Sequence, residues 1–132
     1  MLLSARPLEN VIGVNDYEVV STISFVEGDV VSLFFQLIDL VKDRPEQGFI
    51  PAGRRYMPVI GATLQITFDN IDDAKIVIKV ATQPFTQDAS IWRVDVMATD
   101  TVKGTVNAKL LLTEGVVARR AVLPAVLRIR SA

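Results

Sequence analysis

The sequence predicts an all-β antiparallel sandwich of about seven or eight strands, folded as a single domain. Apolar and polar residues alternate along several short runs, turn residues separate those runs, and the runs are rich in β-branched and aromatic side chains. With 132 residues, half of them hydrophobic and 22% charged, the chain is long enough to bury a core of its own.

Residues 1–16 carry no sustained period and are expected to form an extended N-terminal arm, leaving 17–132 for the sandwich. A strand is expected between Tyr17 and Phe25. Val31, Leu33, Phe35 and Leu37 then alternate with polar positions, although Phe34 is also large and apolar. A helix of about two turns over Leu37 to Lys42 is the alternative at this point. Residues 43–60, with three prolines and two glycines, read as one long loop. Beyond it, Ala62, Leu64, Ile66 and Phe68 form one apolar face, and Ile76, Ile78 and Val80 oppose Lys75 and Lys79. Trp92, Val94 and Val96 oppose Arg93 and Asp95, and Val106, Ala108, Leu110 and Leu112 oppose Asn107 and Lys109. Each apolar set is expected to face the core, Trp92 included. The last strand region, Val116 to Ile129, contains Pro124, which requires an edge position or a break. Glu27-Gly28-Asp29, Asp69-Asn70, Lys103-Gly104 and Glu114-Gly115 supply the turns.

The chemistry available is narrow. Histidine and cysteine are both absent, which removes the commonest general base, the thiolate nucleophile, disulfides and ordinary zinc sites. The glycines are spread singly, with no phosphate-binding loop. Asp69, Asp72 and Asp73 cluster in one turn without the glycine and closing glutamate of a calcium loop, and they read as solvated. No catalytic, cofactor-binding or metal-ligating residue is assigned, and an enzyme is not expected. A net charge of −1 gives no electrostatic footprint for nucleic acid. The basic residues Arg119, Arg120, Arg128 and Arg130 read as solvated strand faces. No run is long and apolar enough for a membrane helix, and Arg6 and Pro7 interrupt any signal-like start, so neither anchor nor leader is expected.

The 43–60 loop is the expected docking element. Phe49, Ile50, Arg54, Arg55, Tyr56 and Met57 are of the types enriched in interface cores, and a solvated linker has no use for so many large apolar groups. High hydropathy with little net charge likewise points to apolar surface covered by other subunits, hence a homo-oligomer.

The stretch Glu27-Gly28-Asp29-Val30-Val31-Ser32-Leu33-Phe34-Phe35-Gln36-Leu37 resembles the opening strand of immunoglobulin-like domains in tailed-phage virion proteins. Ile60-Gly61-Ala62-Thr63-Leu64-Gln65-Ile66-Thr67-Phe68 is similar to a later strand of the same domains. Ile91-Trp92-Arg93-Val94-Asp95-Val96, followed by Asp100, Thr101 and Gly104, resembles the segment before their last hairpin. The amino-terminal domain of baseplate upper proteins is the comparison drawn, over roughly residues 26–130. The resemblance implies an immunoglobulin-like sandwich serving as a non-enzymatic virion structural protein of the tail, baseplate, neck or capsid surface. It would assemble in the host-cell cytoplasm with copies of itself and other virion proteins, without cofactor, nucleic acid or membrane. An arm at residues 1–16 would add a strand to a neighbouring sheet edge. A carbohydrate- or surface-binding sandwich module is the alternative; it requires exposed aromatics on a sheet face or a metal site at a loop end.

Overall fold

The computed structural model describes residues 2–40, 53–123 and 126–132. Its described residues form eleven strands in two sheets, with no α-helix. The first sheet runs β2 (Asp16–Val19), β1 (Leu3–Gly13), β4 (Val31–Leu40), β5 (Gly53–Arg55). Its remaining strand, β8 (Ile91–Val96), shares an edge of β4 with β5: Val31–Gln36 take β8 and Ile38–Leu40 take β5. The second sheet runs β3 (Thr22–Val26), β11 (Val126–Arg130), β9 (Gly104–Glu114), β6 (Thr63–Asn70), β7 (Lys75–Ala81), with β10 (Val117–Val122) hairpinned onto β9. All pairs are antiparallel except β3 with β11.

The core lies between the inner faces that alternation predicts. Leu33, Phe35 and Leu37 of β4 and Trp92, Val94 and Val96 of β8 meet Leu64 and Ile66 of β6 and Val106, Ala108, Leu110 and Leu112 of β9. Apart from Ala108, each of these side chains contributes about 1.5–3 kcal/mol by leaving water. Trp92 is 2% exposed, so it is a core residue, and its indole N–H has no hydrogen-bond partner among the described residues.

Three expectations are corrected. The strand count exceeds seven or eight because Tyr17–Phe25 divides into β2 and β3, Val116–Ile129 divides into β10 and β11, and β1 and β5 are additional. The segment expected as an arm is instead a central strand: β1 is hydrogen-bonded to β2 on one side and β4 on the other. Leu3 and Ala5 face the core, while Ser4 and Leu8, one residue out of phase, are buried on the opposite face. A strand buried on both faces loses its alternation, so it had no period to read. Leu37–Leu40 is strand, as the alternation reads it, and the helical alternative falls.

The third correction is β7, which is inverted. Ile76, Ile78 and Val80 face solvent at 62%, 57% and 70% exposure, and Lys75, Val77 and Lys79 face inward. The reason lies beneath the inner face, where a 3₁₀ turn, Ala98–Asp100, offers polar partners. Lys79 Nζ lies 2.6 Å from Asp100 Oδ2, and Lys75 Nζ donates to the Thr99 carbonyl at 2.8 Å. The aliphatic stems of both lysines, with Val77, Phe68 and Val96, line a cavity of about 30 Å³.

Candidate docking surface around Glu114

The second half of the long loop is held by one carboxylate. After β5, the Tyr56 N–H donates to the Leu37 carbonyl at 2.9 Å, and the Tyr56 ring packs against the core. The Tyr56 hydroxyl donates to Glu114 Oε1 at 2.5 Å, and the Val59 N–H donates to Glu114 Oε2 at 3.1 Å. Arg119 Nε, across the β9–β10 hairpin, donates to Glu114 Oε1 at 3.3 Å. A turn closed by Ala62 N–H to the Val59 carbonyl, with Gly61 at φ +87°, then leads into β6.

The Glu114 side chain is only 8% exposed, and that burial pushes its acidity down. The Tyr56 hydroxyl, the Val59 amide and Arg119 outweigh burial and hold its pKa below the usual carboxylate range. The same hydrogen bond, with burial and the adjacent negative charge, raises the Tyr56 hydroxyl above its ordinary value. The pair is therefore carboxylate and neutral phenol at neutral pH, and the loop is pinned by charge-assisted bonds.

What the pin presents is aliphatic. Thr63 of β6 pairs with Thr113 of β9, so the residues just before β6 and just after β9 emerge at the same end of the sandwich. There Met57, Val59, Ile60, Val116 and Val117 are exposed, Ile60 and Val116 completely. Apolar side chains fixed in water at a turn carry a standing hydration cost that burial against a partner removes.

Of the six expected docking residues, Phe49 and Ile50 lie outside the described residues. Arg54 is exposed on β5 and Met57 joins the aliphatic patch. Arg55 and Tyr56 are engaged within the chain: Arg55 Nη1 lies 3.1 Å from the buried Asp88 carboxylate, and Tyr56 is on Glu114. Sequence reasoning missed Glu114, Val59, Ile60 and Val116. The available signal was Val116-Val117 directly after the Glu114-Gly115 turn, where a solvated hairpin tip carries polar residues.

One buried polar cluster elsewhere deserves a chemical reading. On the outer face of the first sheet, Arg6 Nε donates to Gln36 Oε1 at 2.8 Å, and Gln36 Nε2 donates to the Tyr17 hydroxyl at 3.1 Å. Ser90 Oγ donates to Asp88 Oδ1 at 2.5 Å, and Asp88 also holds Arg55. These groups satisfy one another, so the cluster reads as packing of a polar layer. Among the described residues no group of three acidic side chains is placed to hold a metal ion, and no helix is long and apolar enough to cross a membrane. Comparison with family models, curated proteins and solved structures finds no match to this chain.

Proposed function

We propose that this chain is a non-enzymatic structural subunit that works by docking onto other protein surfaces. The supporting observation is the set of exposed apolar residues Met57, Val59, Ile60, Val116 and Val117 around Glu114, whose carboxylate pins the neighbouring loop through the Tyr56 hydroxyl and the Val59 amide. A preorganised apolar patch loses little conformational entropy on binding, which favours assembly. Following the resemblance, the assembly is a tailed-phage virion, with the chain in the tail, baseplate, neck or capsid surface, and the sandwich is of the immunoglobulin-like kind. Two facing β-sheets around one core are compatible with that finer reading.

The carbohydrate-binding alternative has less to build on. Among the described residues no aromatic side chain is exposed: Trp92 is in the core and Tyr56 is turned onto Glu114. Sugar stacking requires an accessible ring face.

Two measurements test the proposal. Peptides of this chain found in phage particles purified from the culture that expresses it support the virion reading; their absence overturns it. Light scattering on the full chain, compared with the Ile60→Asp/Val116→Asp variant, tests the patch. Smaller assemblies for the variant support docking there, and identical masses remove the patch from the argument.

A further inference from the structure

We infer that β7 is a self-pairing edge: two copies of this chain join β7 to β7 antiparallel, about a two-fold axis through Ile78. This deepens the assembly reading and rests on it, but it uses a surface separate from the Glu114 patch.

The backbone supplies the first argument. Just past β7, Thr82 exchanges two hydrogen bonds with Arg93, at 2.9 and 2.7 Å, on the side of β7 away from β6. In a regular strand the direction of the peptide groups repeats every second residue. Val80, Ile78 and Ile76 therefore aim their N–H and C=O groups to that same side. No strand pairs with them there among the described residues, since β8 departs after the Thr82–Arg93 bridge. A strand edge of this kind is normally blunted by proline, a bulge or projecting lysines. β7 has no proline, its register with β6 is unbroken, and both lysines are turned inward onto Asp100 and Thr99.

Side chains and strand length together select the register: of the centres that oppose no like charges, only Ile78 overlaps the whole of Lys75–Ala81. In an antiparallel dimer with the two outer faces on the same side, outer residues must oppose outer residues. Centring on Val77 places Lys75 opposite Lys79, and centring on Lys79 places that lysine opposite itself; both arrangements repel. Centring on Ile78 pairs Ile78 with Ile78 and Ile76 with Val80 on the outer face. On the inner face Lys79 meets Val77 and Lys75 meets Ala81, so no like charges meet. The same three outer pairs are those whose peptide groups face the gap, so each exchanges two backbone hydrogen bonds. The sequence Ile-x-Ile-x-Val is thus complementary to its own reverse, which is what an isologous contact requires and what a foreign strand need not match.

The test uses the full chain in sedimentation velocity over a concentration series, with Ile78→Lys and Ile78→Cys. The wild type is expected to show a monomer–dimer equilibrium. Ile78→Lys places two ammonium groups across the axis and is expected to raise the dissociation constant roughly tenfold or more. Circular dichroism should show it folded, because Ile78 is exposed. The chain has no native cysteine, so Ile78→Cys on mild oxidation should give a disulfide-linked dimer, whereas a Gln65→Cys control on β6 should not. A wild type that stays monomeric throughout, or a dimer indifferent to Ile78→Lys, overturns the inference. A dimer lost in Ile78→Lys but retained in Ile60→Asp/Val116→Asp supports β7 pairing whatever becomes of the patch. Loss in the patch variant alone assigns self-association to the patch and overturns the β7 contact.

Discussion

Tyr56 and Glu114 are 58 residues apart in the chain, yet the phenol donates to the carboxylate at 2.5 Å. This contact ties the loop after β5 to the β9–β10 hairpin. Tyr56→Phe removes the hydroxyl but leaves Glu114 with Val59 and Arg119, and should cost about 1 kcal/mol. Glu114→Gln removes the charge that all three donors share and should cost about 2 kcal/mol. Urea denaturation of both variants checks the order; a Gln variant as stable as the Phe variant would mean that the charge adds nothing.

The two depressed carboxyls, Glu114 and Asp100, contribute stability that acid removes. Burial acts against ionisation in both, but Glu114 is overruled by Tyr56, Val59 and Arg119, and Asp100 by Lys79, the Met97 amide and Lys75. Acid therefore protonates these groups in the unfolded chain before the folded one. Their stabilisation is complete above the ordinary values of 4.5 and 3.8 and disappears as pH falls through the lower folded values. The raised Tyr56 hydroxyl works in the other direction: its contribution is complete below 10.0 and is lost as pH rises through the folded value. Thermal unfolding of wild type and Glu114→Gln across pH should show a shallower acid slope in the variant. Parallel slopes would contradict the assignment.

β7 gives a direct contrast between pattern and placement. Alternation makes Ile78 look like a core residue, and the structure exposes it. Under conditions where the chain is monomeric, Ile78→Ala should change stability by no more than about 0.5 kcal/mol. Leu110→Ala, at a 2% exposed position on β9, should cost about 2–5 kcal/mol. A large cost at Ile78 in the monomer would mean that the strand is turned the other way.

That contrast marks how far the sequence was legible. Period two identifies the two faces of a strand but not which of them is inward. For β4, β6, β8 and β9 the apolar face is buried because an opposing sheet lies there. For β7 the inner neighbour is Asp100 and the Thr99 carbonyl, and the lysines take that side. β1 was illegible for the opposite reason, being buried on both faces at Leu3–Ala5 and Leu8. At the candidate surface, Tyr56 and Met57 stood out by residue type. Glu114 could not, because its role depends on the Thr63–Thr113 register, which joins segments distant in the chain.

The buried Asn70 side chain supports a last prediction. Its Nδ2 donates to the Val102 and Lys103 carbonyls at 2.8 and 3.2 Å, and its Oδ1 accepts the Asp72 N–H at 3.0 Å. It thereby joins the β6–β7 turn to the approach into β9. Gly104 lies against it at φ +144°, a conformation that side chains rarely adopt, and a Cβ there would collide with the Asn70 amide. Gly104→Ala should therefore cost about 2–3 kcal/mol, and Asn70→Ala a similar amount through the carbonyls left unsatisfied. Since part of the glycine effect is collision with Asn70, the double variant should lose less than the two single losses combined. Urea denaturation of the four-member cycle measures the difference. Strict additivity would mean that Gly104 is required for its backbone angle alone and not for the room it leaves Asn70.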